Sequence, residues 1–201
     1  MKKKIAFIIC GVVFVAAFVV AITGVFQQSE LSFAKFLNPN REKNPFFLFF
    51  TNIGEAYGVI PIALAFFLLP NRKKIAIPIG VTVSVSWILN ETIKLLVARP
   101  RPIEMLLHKS SYSFPSGHAM NNGALYIAII ICLWSLCKNK KQKISVGLIA
   151  LIPFIIGLSR VYFNVHYISD VVAGWCLGIM IAIVCCGLIT KEKSKNDTNR
   201  I

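Results

Sequence analysis

From Ser159 to Asp170 the chain reads Ser-Arg-Val-Tyr-Phe-Asn-Val-His-Tyr-Ile-Ser-Asp, a cluster of polar groups set in an apolar background. His166 and Asp170 are four residues apart. On a helix that spacing puts the carboxylate one turn from the imidazole, where it can orient the ring through an N–H. Arg160, six residues before His166, is placed to hold an anion against the same ring. Nucleophile, orienting carboxylate and anion clamp are the parts of a nucleophilic phosphoryl-transfer site. Taken alone, the segment fits equally well a buried hydrogen-bonded pair that closes a helix end.

Two further blocks carry groups of matching chemistry. Lys94 and Arg101 are seven residues apart, two helical turns, although Pro100 and Pro102 should end the helix before Arg101. Singly, each cation reads as well as an interfacial snorkelling residue. Pro115-Ser116-Gly117-His118 has the form of a helix start, with Ser116 suited to the cap and Gly117 permitting close backbone approach. Free N–H groups at such a start bind phosphate oxygens, and His118 in the first turn could pass a proton to a leaving oxygen. His108 has no partner pattern and reads as a loop residue.

The elements that must position these residues are transmembrane helices. Of the 201 residues 56% are hydrophobic, and several apolar runs reach the roughly 20 residues that cross a bilayer as helix. Backbone groups in lipid must bond within their own segment, and the alternating short segments of a β-barrel are absent, so the expected fold is all-α. A first span covers Ile5 to Phe26, preceded by three lysines; it starts like a signal peptide but exceeds the usual cleavable core. Gln27 to Asn44 suits a short interfacial helix, and Phe46 to Phe50 suits the headgroup level. The second span begins at Phe46 or Ile53 and ends at Leu69, before the basic turn Asn71–Lys74. The third, Ile75 to Ala98, carries Asn90, Glu91 and Lys94 near its far end, a placement typical of a polar site. After the loop Arg99 to Ser113 come a fourth span, Ser116 to Cys137, a fifth, Ile144 to Val161 with a kink expected at Pro153, and a sixth, Tyr167 to Thr190. Residues 1–190 form one six-span domain, and 191–201 a charged tail expected to be disordered. The glycine pairs Gly54/Gly58 and Gly174/Gly178 have the spacing that lets helices approach closely.

The net charge of +14 falls in clusters between apolar runs. That pattern points to topology; no basic stripe is interleaved with exposed aromatics, so nucleic acid is not an expected partner. Placing residues 2–4, 72–74, 138–143 and 191–200 on one side collects 14 of the 22 Lys and Arg residues, against 8 on the other. Both termini are therefore expected in the cytoplasm, and all three polar blocks on the extracytoplasmic side of a cell membrane. The six cysteines lie in or beside the spans and read as reduced fillers, with Cys185 and Cys186 as candidates for lipid attachment. A transporter or channel lined by Asn90, Glu91, Lys94 and Arg160 is the rival from another class, opposed by the confinement of the polar groups to one surface.

The three ordered blocks resemble the type 2 phosphatidate phosphatases, which share their site with vanadium haloperoxidases and bacterial acid phosphatases. That family shows Lys, six residues, Arg-Pro; then Pro-Ser-Gly-His; then Ser-Arg, five residues, His, three residues, Asp. Here these are Lys94 with Arg101-Pro102, Pro115 to His118, and Ser159-Arg160 with His166 and Asp170. The resemblance implies that His166 attacks phosphorus to form a phosphohistidine, that Asp170 orients it, and that His118 protonates the leaving group. It also implies that Lys94, Arg101, Arg160, Ser116 and the Gly117 amide hold the phosphoryl oxygens, with no metal or other cofactor. The expected substrate is a lipid phosphomonoester or prenyl diphosphate, undecaprenyl diphosphate and phosphatidylglycerophosphate foremost. A lipid-linked phosphotransferase would use the same residues.

Overall fold

A computed structural model of the chain describes residues 2–68 and 72–198, and every regular element in it is helical. Helix α1 (Lys2–Thr23) is apolar nearly all round and only 11% of its span is buried against the protein, as expected of a helix whose other neighbours are lipid tails. It stops where Gly24 takes the left-handed conformation (φ +65°), its N–H bonded back to the Val20 carbonyl. The expected interfacial helix is α2 (Gln27–Leu37), shorter than the stretch to Asn44. The Asn38 side chain ends it by bonding the backbone of Glu42 at both its N–H and its carbonyl.

Asn44 caps α3 (Pro45–Ile53) by accepting from the Phe46 N–H, with Pro45 at the first helical position. α3 and α4 (Ala56–Ala65, prolonged by a 3₁₀ turn Phe66–Leu68) together are long and apolar enough for one crossing, but are bent by 57° at residues 54 and 55. Gly58 belongs to this bend. A Cβ there would lie 2.1 Å from the Ile53 carbonyl oxygen, so Gly58 serves the local bend, whereas a Cβ on Gly54 would lie 2.5 Å from Ile156 Cγ2, the close helix approach expected of the pair. The basic turn at 71–74 lies partly outside the described residues; α5 (Arg72–Val97) begins within it.

α6 (Gly117–Trp134) is the central helix. Leu125, Ala128 and Ile129 on it meet Val59 and Ala63 of α4, Ile79 and Val83 of α5, Ile156 from the fifth span and Ala182 from the sixth in one buried cluster. The fifth span is two helices, α7 (Lys140–Leu148) and α8 (Leu151–Tyr162). The break falls one turn before the expected kink because Pro153 has no N–H for the Ile149 carbonyl and its ring crowds that group. The sixth is α9 (Ile168–Thr198), which carries on through the charged segment; the disorder expected there is replaced by helical backbone up to Thr198. α6 and α9 touch through glycine: a Cβ on Gly174 would lie 2.7 Å from the Ser116 carbonyl oxygen, and one on Gly178 2.4 Å from that of Met120. α1 lies antiparallel on α9, Gly11 facing Met180 while Ala17 and Ala21 share a cluster with Ala173. Among the described residues five helical segments are long and apolar enough to cross a bilayer, six with the bent pair counted as one.

Candidate active site

Each polar block reaches the site by a different local device. Lys94 stands in the last turn of α5, which ends as Ala98 turns to φ +48° ahead of Pro100. The loop that follows is closed at its base by the Ser113 N–H on the Arg99 carbonyl, and this folds Arg101 back towards the bundle. Arg101 is held there by its Nε on the Ser111 carbonyl (2.6 Å) and its Nη1 on the Val165 carbonyl (2.7 Å). Ser116 caps α6, its Oγ accepting from the Ala119 N–H at 3.4 Å. That places Gly117 and His118 in the first turn, as the sequence predicts. His118 donates from Nε2 to the Thr51 carbonyl at 3.2 Å and lies 3.5 Å from Glu55 Oε1. Arg160, 1% exposed, donates from Nη1 to the Thr51 hydroxyl, while its Nε has no protein partner.

His166 is not on a helix. It sits in the turn between α8 and α9, and the one-turn geometry expected for His166 and Asp170 is replaced by a helix-start geometry. Tyr167 precedes the first helical residue, and Asp170, three positions on, reaches back to the Tyr167 N–H (3.0 Å) as the acid of a capping box does. The same Oδ2 accepts from the Ser113 hydroxyl and lies 3.4 Å from His166 Nδ1. On the other side of the ring, Arg101 Nη1 stands 3.0 Å from Nε2. A guanidinium can only donate, so Nε2 presents its lone pair and the ring proton is on Nδ1, towards the Ser113 hydroxyl at 3.5 Å and the Asp170 carboxylate beside it. Burial first, and then the positive fields of Arg101 and Arg160, push the imidazole well below its ordinary range, so the ring is neutral.

Lys94, Arg101, Gly117, His118, Arg160 and His166 all line one cavity of about 170 Å³, joined by Asn90, Glu91, Glu55 and Lys109. Four cations and two imidazoles against two carboxylates leave so small a space net positive, which suits an anion. Its volume is below the roughly 300–1,000 Å³ of pockets that enclose a drug-sized molecule, so it suits a headgroup rather than a whole lipid. Asp170 and Ser116 lie outside the lining, both fully buried. A larger cavity, about 480 Å³, lies between α2 and the backs of residues 103–106 and 162–167 and contains none of the motif residues.

Several residues with contacts here escaped the sequence reading. Thr51 holds both Arg160 and His118, and its only signal is a hydroxyl directly after five apolar residues. Ser113, Arg99 and Glu30 surround Asp170 or its partners. Glu55, in the α3–α4 bend, pairs with Lys109 of the loop at 2.5 Å.

The chain is similar in sequence and fold to known proteins. Over 112 residues, 53% of its length, the chain is 39% identical to phosphatidylglycerophosphatase B of Bacillus subtilis (strain 168), and the match spans 54% of that protein, about half its length. It is 29% identical over 150 residues to an undecaprenyl-diphosphatase of Sulfolobus acidocaldarius, covering 70% of this chain and 68% of that one. The fold superposes on the crystal structure of a transmembrane PAP2 type phosphatidylglycerolphosphate phosphatase from Bacillus subtilis with a TM-score of 0.80 at 25% identity, over 95% of this chain and 98% of that one. Residues 75–194 match the PAP2 superfamily profile, which takes in all three polar blocks: the chain is a multi-span membrane protein of the PAP2 superfamily.

Proposed function

We propose that this protein is a membrane lipid phosphatase that removes phosphate from a lipid phosphomonoester or a prenyl diphosphate through a phosphohistidine on His166. The observation that carries this reading is the imidazole itself: a neutral ring with its Nε2 lone pair towards an anion cavity and its Nδ1 towards a buried carboxylate. Nε2 attacks phosphorus, and the bond from phosphorus to the lipid oxygen breaks. His118 delivers a proton to that oxygen. Arg101 turns from Nε2 to the incoming phosphoryl group and, with Lys94, Arg160 and the Gly117 amide, balances the charge spread over its oxygens. Ser116 acts by fixing the helix start from which that amide points. As positive charge builds on the ring, Asp170 receives the Nδ1 hydrogen bond. Water then attacks the phosphohistidine, returns its proton to His118 and leaves inorganic phosphate. Three cations take the place a metal ion holds in other phosphoryl-transfer sites, so turnover proceeds without one.

The small cavity and the apolar bundle around it support a headgroup entering while the tails stay in lipid. The Bacillus and Sulfolobus relatives favour phosphatidylglycerophosphate and undecaprenyl diphosphate as substrates. The site is assigned to the extracytoplasmic face and both termini to the cytoplasm, from the distribution of basic residues. The test is phosphate release by the purified full chain in detergent, across prenyl diphosphates and glycerolipid phosphates, with and without chelator. Release from at least one class, unchanged by chelator and blocked by vanadate, is expected. Activity lost with chelator and restored by Mg²⁺ would sink the metal-free mechanism, and no release from any lipid would sink the assignment.

A further inference from the structure

Asp170 is held by more than the motif that contains it. Its Oδ1 accepts from Arg99 Nη1 at 2.5 Å, and the same Nη1 reaches the Ser169 hydroxyl at 2.8 Å. The other arm of the guanidinium, Nη2, donates to Glu30 Oε2 at 3.0 Å, and Glu30 Oε1 accepts the Ser169 N–H at 2.7 Å. Arg99 also lies over the Tyr167 ring, 4.0 Å from its centre. All three charged groups are withdrawn from solvent: Glu30 is 5% exposed, Arg99 7% and Asp170 0%. They come from three separate elements, the interfacial helix α2, the loop after α5, and the start of α9.

We infer that Glu30 and Arg99 are positioning residues for the reaction proposed above, acting on His166 through Asp170. A carboxylate with no exposure keeps its charge only beside a cation or several donors, which is the part Arg99 plays. A lone guanidinium would go too far. Paired with Asp170 by itself it would cancel most of the negative field that the imidazole needs as it becomes cationic. Glu30 takes a share of that guanidinium, so the triplet keeps one net negative charge facing His166. Its second oxygen occupies a free N–H in the first turn of α9, which fixes α2 against the element that carries Asp170. The interfacial helix is thereby part of the catalytic support.

The test uses full-length protein with Glu30→Gln, which keeps the shape and removes the charge, Arg99→Lys, and the double variant. Glu30→Gln is expected to lower kcat about tenfold with KM within about twofold, the size of effect seen between members of one buried network. The double variant should lose no more than the worse single one. A readout independent of any lipid is the Nδ1 proton of His166, followed by NMR in histidine-labelled protein and assigned with His166→Gln; in Glu30→Gln it should move upfield as the negative field of Asp170 and its Ser113 partner at Nδ1 weakens. An unchanged resonance overturns the inference, as do losses that simply multiply in the double variant. If the resonance moves but wild-type protein releases phosphate from no lipid, the coupling stands and the phosphatase reading fails.

Discussion

His166 is fixed in one tautomer by a partner that can only donate and held neutral by burial, and both have measurable consequences. A ring whose proton affinity is depressed takes up a proton only at lower pH, so the neutral, nucleophilic form persists as pH falls through the ordinary histidine value of about 6.5. NMR titration of the ligand-free protein should show no protonation of His166 between pH 8 and about 6.5; a midpoint at 6.5 or above would contradict the burial argument. His118 is proposed to have a different task, and leaving-group chemistry would expose it. A phosphomonoester expels a strongly basic alkoxide, whereas a prenyl diphosphate expels a phosphate ester that leaves readily unprotonated. His166→Ala should therefore abolish turnover of both, while His118→Asn keeps a larger fraction of activity on the diphosphate, within the hundredfold to ten-thousandfold range of general acid catalysis. The comparison is made at saturating lipid on folded protein; equal proportional losses would remove the acid role from His118.

At the scale of elements, the cap of α6 is pressed against α9. Gly174 leaves no room for a Cβ beside the Ser116 carbonyl, and Gly178 none beside that of Met120, one turn further from the cavity. Alanine at either position must push the two helices apart, at a cost of about 1–3 kcal/mol for an overfilled contact. Thermal unfolding in detergent should show both variants destabilised. Only Gly174→Ala should also lower kcat in the fraction that remains folded, because the displaced backbone is that of the helix start proposed to hold phosphate. Equal kcat in the two variants would mean that the helix start tolerates the shift.

For the whole molecule, the antiparallel seating of α1 on α9 brings the start of the chain and the charged end of α9 to the end opposite the cavity. On the proposed topology, read from the basic clusters, that end is cytoplasmic. Single cysteines at Lys140 and Ser110, introduced after replacing the six native ones, should differ in intact cells: an impermeant thiol reagent labels position 110 and spares 140. The reverse pattern would move the cavity to the cytoplasmic face.

Hydropathy and spacing are local properties, and what depends on them was readable from residue order alone: the apolar spans, the interfacial helix after the first of them, the cap at Ser116, and the blocks that converge on one cavity. Contacts between distant segments were not readable. The partner of Arg99 on α2 is 69 residues away, and Glu30 meets Ser169 across 139 residues; nothing near Glu30 marks it as different from an acid on a solvated helix face. Thr51 and Ser113 were hidden for the same reason, since a hydroxyl acquires its role only from what folding places beside it. The four-residue spacing of His166 and Asp170 carried the right pairing with the wrong geometry. Spacing reports distance along the chain; in the folded protein Asp170 bonds back to the Tyr167 N–H and its carbonyl accepts the Ser116 N–H, so that the helix starts at Ile168 and the imidazole is left in the turn with its lone pair towards Arg101.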